Sequence, residues 1–209
     1  MDTAGMVEIT SEEELRELLG VPTPVALAKE RSALHELDRE WLAHASLCLI
    51  ATADANGWCD VSPKGDPAGF TKVLDDTTIA IPERPGNRRA DSFHNVLANP
   101  RVGLLFLVPG RGDTLRINGR ARLVREAPFF DEMTVKGHRP RLAMVVETEE
   151  IFFHCSKAFL RSDLWKPETW TPEAVPSRAR ISKSLERTDQ SLEDLERYYG
   201  PRYAEGMYR

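Results

Sequence analysis

Apolar and polar residues change period along this chain, and the change divides it. Between residues 25 and 45, Leu27, Leu34, Leu37, Trp41 and Leu42 recur at intervals that predict an amphipathic helix. An earlier run, Thr10-Ser11-Glu12-Glu13-Glu14, has a capping side chain followed by acids, and Gly20 supplies a stop, so a short helix is expected there as well. From residue 46 the pattern turns to short apolar or alternating runs, which predict strands at 46–52, 58–61, 70–74, 77–81, 101–108, 114–125, 142–149 and 151–155. Asp54-Ala55-Asn56-Gly57 and Asp75-Asp76 are hairpin signals between them. The run at 101–108 is apolar on both alternating faces and reads as fully buried, whereas Leu115, Ile117, Ala121 and Leu123 alternate with polar residues, with Gly119 as a bulge. One helix interrupts the strands: Ala90, Phe93, Val96 and Leu97 have helical spacing, Asn87 is its expected N-cap, and Asn99-Pro100 ends it. Residues 128–133 read as a short helix and 184–199 as a longer one. Strands joined mainly by hairpins predict a mainly β protein with peripheral helices, built on an antiparallel barrel. The expected organisation is N-terminal helices over 1–45, the barrel over 46–166 and an extension over 167–209, within one structural domain.

Composition narrows the function without naming it. The 209-residue chain has a formal net charge of −5, which lacks the basic excess of a general nucleic-acid binder. No apolar stretch approaches the roughly 20 residues needed to span a bilayer, and the acidic N-terminus has no apolar signal region. A cytoplasmic protein is the expectation. Cys48, Cys59 and Cys155 are odd in number and widely spaced, which suggests buried thiols rather than a disulfide framework.

Two segments carry candidate chemistry. The predicted helix at 88–98 opens with Arg88 and Arg89, where positive charge opposes the helix dipole. Backbone N–H groups and two guanidiniums at one turn are what a phosphate needs, so an anion resolves the conflict. The competing reading pairs the two arginines with Glu83 or Asp91. The second segment, Val61-Ser62-Pro63-Lys64-Gly65-Asp66, follows a strand where a barrel opens to ligand; Ser62 and Lys64 can hydrogen-bond an oxygen-rich heterocycle. An ordinary polar loop is the alternative. His154 and Cys155 are adjacent in a strand and point to opposite faces, which disfavours a nucleophile–base pair. The other histidines have no metal-ligand spacing, and no dinucleotide fingerprint, Walker loop or nucleophile elbow occurs.

The segment IPERPGNRRADSFHNVLANPRVGLLF, residues 81–106, resembles the pyridoxamine 5′-phosphate oxidase-like FMN-binding split-barrel family. Together with Ser-Pro-Lys-Gly-Asp at 62–66, Thr-Leu-Arg-Ile-Asn-Gly-Arg-Ala at 114–121 and His-Cys-Ser-Lys-Ala at 154–158, it is similar to a bacterial subgroup of probable FMN-dependent enzymes, over residues 30–167. The resemblance implies an antiparallel split β-barrel, FMN as cofactor, and a homodimer with FMN at the interface. It implies that Arg88 and Arg89 grip the FMN phosphate, that Pro82 and Asn87 flank that turn, and that Ser62, Pro63 and Lys64 lie along the flavin ring. Thr114 would reach the flavin across the subunit interface, with Lys157 and Trp165 closing the site. The C-terminal Arg-x-His motif with which such oxidases bind their substrate's phosphate has no counterpart here, so the resemblance points to an FMN-dependent oxidoreductase acting on a small molecule of unspecified identity. A non-catalytic flavin-binding or regulatory module, and a deazaflavin- or haem-utilising split barrel, are the alternatives left open.

Overall fold

The computed structural model describes residues 5–208, in two compact units, one through Glu30 and the other from Arg31. The first contains α1 (Glu12–Leu19) and α2 (Pro24–Ala28). Helix α1 starts and stops where the sequence places it: the Ser11 side chain accepts from the Glu14 N–H, and Gly20 ends it at a φ of 77°.

The helix expected over 25–45 is two helices. The second, α3 (Glu36–His44), belongs to the larger unit and begins afresh because residues 35–38 cap themselves. The Asp38 carboxylate accepts the His35 N–H at 2.9 Å, and His35 Nδ1 accepts the Leu37 N–H at 3.2 Å. Asp38 is fully buried and also receives Arg31 Nη2 at 2.6 and 2.8 Å. The restart changes the buried face: Leu34, Trp41 and Leu42 are buried, while Leu27 and Leu37 are exposed.

The strands are β1 (Leu47–Ala53), β2 (Cys59–Gly65), β3 (Lys72–Val73), β4 (Thr78–Pro82), β5 (Arg101–Leu107), β6 (Thr114–Val124) and β7 (Ala143–His154), with α4 (Asp91–Ala98) between β4 and β5. They form one antiparallel sheet in the order β2-β1-β5-β6-β7-β4-β3. β1 and β4 lie four places apart in that order, yet Ile50 and Ile79 enter the same apolar cluster, with Trp41, Phe106, Ile117 and Val146. A sheet whose distant strands share one core is rolled around it, with β2 and β3 as its edges: a mainly β fold with peripheral helices, the split barrel.

Several strands differ from expectation in instructive ways. β5 is not buried on both faces: Val102, Leu104 and Phe106 enter the core, while Gly103 and Leu105 are half-buried. The two strands expected at 142–149 and 151–155 are one, because Gly119 takes up the irregularity opposite. Asn118 pairs with Glu150 and Gly119 with Thr148, so one residue of β7 is skipped. A Cβ on Gly119 would lie 2.0 Å from the Glu147 carbonyl oxygen, which is why only glycine fits. The short helix at 128–133 is a 3₁₀ turn. Beyond α5 (Lys157–Arg161), the single C-terminal helix expected is α6 (Arg178–Leu185) and α7 (Leu192–Tyr198), the latter capped by Ser191. Cys48 is buried, but Cys59 and Cys155 are exposed, so the expectation of buried thiols holds for one of three. Among the described residues no helix is long and apolar enough to cross a membrane.

Candidate functional site

The edge strand β2 runs further than the sequence suggests. Ser62, Pro63 and Lys64 lie inside it, paired with Ile50, Leu49 and Cys48 of β1, rather than in a loop beyond it. Pro63 is compatible with this position because an edge strand leaves one side of its ladder unpaired. Alternation then places Asp60, Ser62 and Lys64 on the half-buried face and Val61 and Pro63 on the exposed one.

Helix α4 begins at Asp91, three residues later than the sequence pattern indicates. Asn87 is not its N-cap. Instead the Asn87 Oδ1 accepts the Arg89 N–H at 3.0 Å, a local turn, and Arg88 and Ala90 both adopt left-handed backbone, with φ of 63° and 59°. Two left-handed residues cannot continue a right-handed helix, so the arginines precede α4 and the first turn carries Asp91. The supposed conflict with the helix dipole therefore does not arise. Ala90 takes the cap position and has no side chain to offer, which leaves the opening N–H groups of α4 without a side-chain acceptor.

Arg84 pins the segment that leads to this turn. Its guanidinium pairs with Asp66 and donates to the carbonyls of Met133 at 2.7 Å and His138 at 3.2 Å. From the other side, the buried Asn95 fixes α4 to the sheet, its Nδ2 donating to Thr52 Oγ1 at 3.0 Å and to Asp60 Oδ2 at 2.8 Å.

Between these anchors lies a pocket of about 440 Å³. Ser62, Pro63, Lys64, Pro82, Asn87, Arg88 and Arg89 all line it, so two segments separated by some 20 residues of sequence face one space. Lys64 Nζ is 3.0 Å from Glu83 Oε2 and 4.7 Å from the centre of the Phe93 ring, a partly buried cation held between a carboxylate and an aromatic face. Of the pairings expected for the two arginines, Arg89 with Asp91 forms, and neither arginine takes Glu83. Glu83 goes to Lys64, and Arg89 Nε donates to Asp91 at 2.9 Å, a hydrogen bond that with the charge of Asp91 raises the Arg89 pKa. Arg88 is exposed and makes no hydrogen bond or ion pair among the described residues.

Thr114, Lys157 and Trp165 are elsewhere. Thr114 is buried at the start of β6, paired with His154; Lys157 begins α5 and is exposed; Trp165 donates its indole N–H to the Arg111 carbonyl at 2.7 Å. None of the three lines the pocket of its own chain. Sequence reasoning passed over Phe93, Arg84 and Ser92. Their signal was the helix itself: Ser92 and Phe93 occupy its first turn, beside the two arginines.

A rolled antiparallel sheet with a cationic, partly uncapped turn beside a pocket has the charge that a small anion would need. Residues 34–155, more than half of the chain, match the family model of the pyridoxamine 5′-phosphate oxidases, and the chain belongs to that family. No curated protein matches it in sequence. Similar solved structures include HupZ from Group A Streptococcus, 19% identical over 57% of this chain and 93% of that one, with a TM-score of 0.46. A candidate pyridoxamine 5′-phosphate oxidase from Lactobacillus delbrueckii is 22% identical over 58% and 95%, also at 0.46. An FMN-binding protein from Syntrophomonas wolfei is 16% identical over 57% and 89%, at 0.42. Each likeness covers little more than half of this chain.

Proposed function

We propose that this protein binds FMN and uses it, as a homodimer, in an oxidoreductase reaction on a small molecule. One observation carries the reading: a single pocket joins the Asn87-Arg88-Arg89 turn to the Ser62-Pro63-Lys64 strand. Membership of a family named for a phosphate-bearing substrate's oxidation supports it. The residues fit the group. Helix α4 lacks a side-chain cap, and Arg88 has no hydrogen-bond or ion-pair partner among the described residues to give up.

In this reading Arg88, Arg89 and the turn backbone hold the phosphate, with Asn87 and Pro82 flanking, while Ser62, Pro63 and Lys64 lie along the ring. Lys64 is kept in place by Glu83 and Phe93, so it presents a fixed positive charge to the ring edge. When bound, FMN supplies the hydride and electron transfer, and the polypeptide supplies placement and electrostatics. Lys157 and Trp165, which do not line the pocket of their own chain, act from the second copy, whereas Thr114 is buried in its own chain and contributes only by supporting the start of β6. Exposed Trp58, Val61 and Leu97 offer apolar surface for that contact.

The test is the cofactor itself. Purified protein, or protein reconstituted with excess flavin, is denatured and the released material is resolved by chromatography. FMN is expected; FAD, haem or no ligand would overturn the assignment. Light scattering of the FMN-loaded protein tests the dimer, which a particle of 23.6 kDa would refute.

A further inference from the structure

Adjoining the first pocket, and sharing Glu83, Arg84, Pro85, Gly86 and Arg88 with it, lies a second crevice of about 460 Å³. Its walls are the 83–88 segment, residues 138–141 and Tyr208. What distinguishes it is the balance of charge. Four arginines line it, and two are already neutralised: Arg84 by Asp66, and Arg139 by Glu126 and Asp131, both at 2.6 Å. The one carboxylate in the lining, Glu83, is committed to Lys64. The nearest buried acid, Asp66, has a side chain only 1% exposed and accepts from both Arg84 and the Tyr208 hydroxyl. Two guanidiniums remain, Arg88 and Arg141, each exposed and without a hydrogen bond or ion pair among the described residues. His138 lies at the same wall, its ring stacked on Tyr208 at 5.8 Å.

Two guanidiniums that are unpaired among the described residues, lining one crevice whose own carboxylate, Glu83, is already used, form a site for an oxyanion. We propose that this crevice is a second binding site, which takes the phosphate or carboxylate end of a small-molecule ligand between Arg88 and Arg141, with His138 and Tyr208 as its remaining wall. Tyr208 is placed to shape it: its hydroxyl is fixed by Asp66 and its ring by His138, so the end of the chain is held against the site by side chains that also brace the FMN turn. Arg88 lines both pockets, so it bridges the two anions when FMN is bound, and of the two unpaired arginines Arg141 is the one particular to this crevice.

Full-length protein is titrated with inorganic phosphate, and separately with acetate, at constant ionic strength in chloride, with and without saturating FMN. The ring protons of His138 report binding by NMR, assigned among the five histidines by His138→Gln. A saturable shift is expected, with affinity at least fivefold weaker in Arg141→Gln and largely retained in Arg141→Lys. Stronger binding of phosphate assigns the site to phosphate esters, and stronger binding of acetate to carboxylates. Arg89 lines only the first pocket, so Arg89→Gln should weaken FMN and leave the phosphate affinity read at His138 unchanged. A shift that never saturates, or an Arg141→Gln variant with undiminished affinity, would overturn the proposal. Failure of FMN to bind while the phosphate titration still depends on Arg141 would sink the flavin reading alone and support this one.

Discussion

Replacing Arg88 with glycine separates what the side chain does for a ligand from what the backbone does for the fold. Arg88 sits at a φ of 63°, which costs an L-residue roughly 1–2 kcal/mol, and glycine removes that cost. Glycine also enlarges the freedom of the unfolded chain, an opposing effect of about 0.5–1 kcal/mol. Because the guanidinium has no partner among the described residues, no native contact is lost. The net change in stability is therefore within about 1 kcal/mol, or a melting shift of roughly 2–4 °C for a chain of this size. Ligand affinity should respond far more. A charged hydrogen bond contributes about 1.5–3 kcal/mol, and each 1.4 kcal/mol is tenfold, so FMN should bind roughly 10- to 150-fold more weakly. Arg89→Gly should cost less, because Arg89 must first leave Asp91 before it can serve a phosphate. Fluorescence quenching of FMN and thermal melting of the ligand-free protein measure the two effects. Unchanged FMN affinity in Arg88→Gly would refute the phosphate assignment, and a melting loss beyond about 8 °C would refute the claim that Arg88 is idle in the fold.

Gly119→Ala should destabilise the protein by about 3 kcal/mol, since the new methyl collides with the Glu147 carbonyl and the bulge must open; a melting temperature within 2 °C of the parent's would contradict this. Asn95→Ala should cost about 2–3 kcal/mol in urea unfolding and weaken FMN as well, because it strands the buried Thr52 hydroxyl and frees α4 from β2; equal stability would show that these hydrogen bonds are dispensable. Burial pushes the Cys48 thiol well above its usual 9.0, so in native protein only Cys59 and Cys155 should react quickly with a thiol reagent. The sign follows for stability: above pH 9 the unfolded chain releases a proton that the folded protein retains, so Cys48 favours unfolding there, and Cys48→Ala should flatten the alkaline loss.

The sequence by itself determined what depends on neighbours along the chain. Alternation located the strands, Ser11 and Gly20 bounded α1, and Gly119 announced its bulge, because side-chain period, capping and the steric limits of a backbone are local properties. It also singled out two segments, Ser62-Pro63-Lys64 and Asn87-Arg88-Arg89, that the structure brings to one pocket. Only the tertiary structure decided how those segments are arranged. Whether Arg89 faces Asp91 or Glu83, whether Lys64 is a loop residue or an edge-strand cation against Phe93, and whether Arg88 opens a helix or precedes one are settled by packing across β1, β2 and α4. The same holds for the long helix expected over 25–45: Trp41 and Leu42 of its stripe are buried, but Leu27 and Leu37 are exposed, because the buried Asp38 carboxylate caps His35, binds Arg31 and starts α3 afresh. Tyr208, more than 140 residues from Asp66, reaches it only because the folded chain returns there, a contact between residues so distant along the chain that no periodicity encodes it.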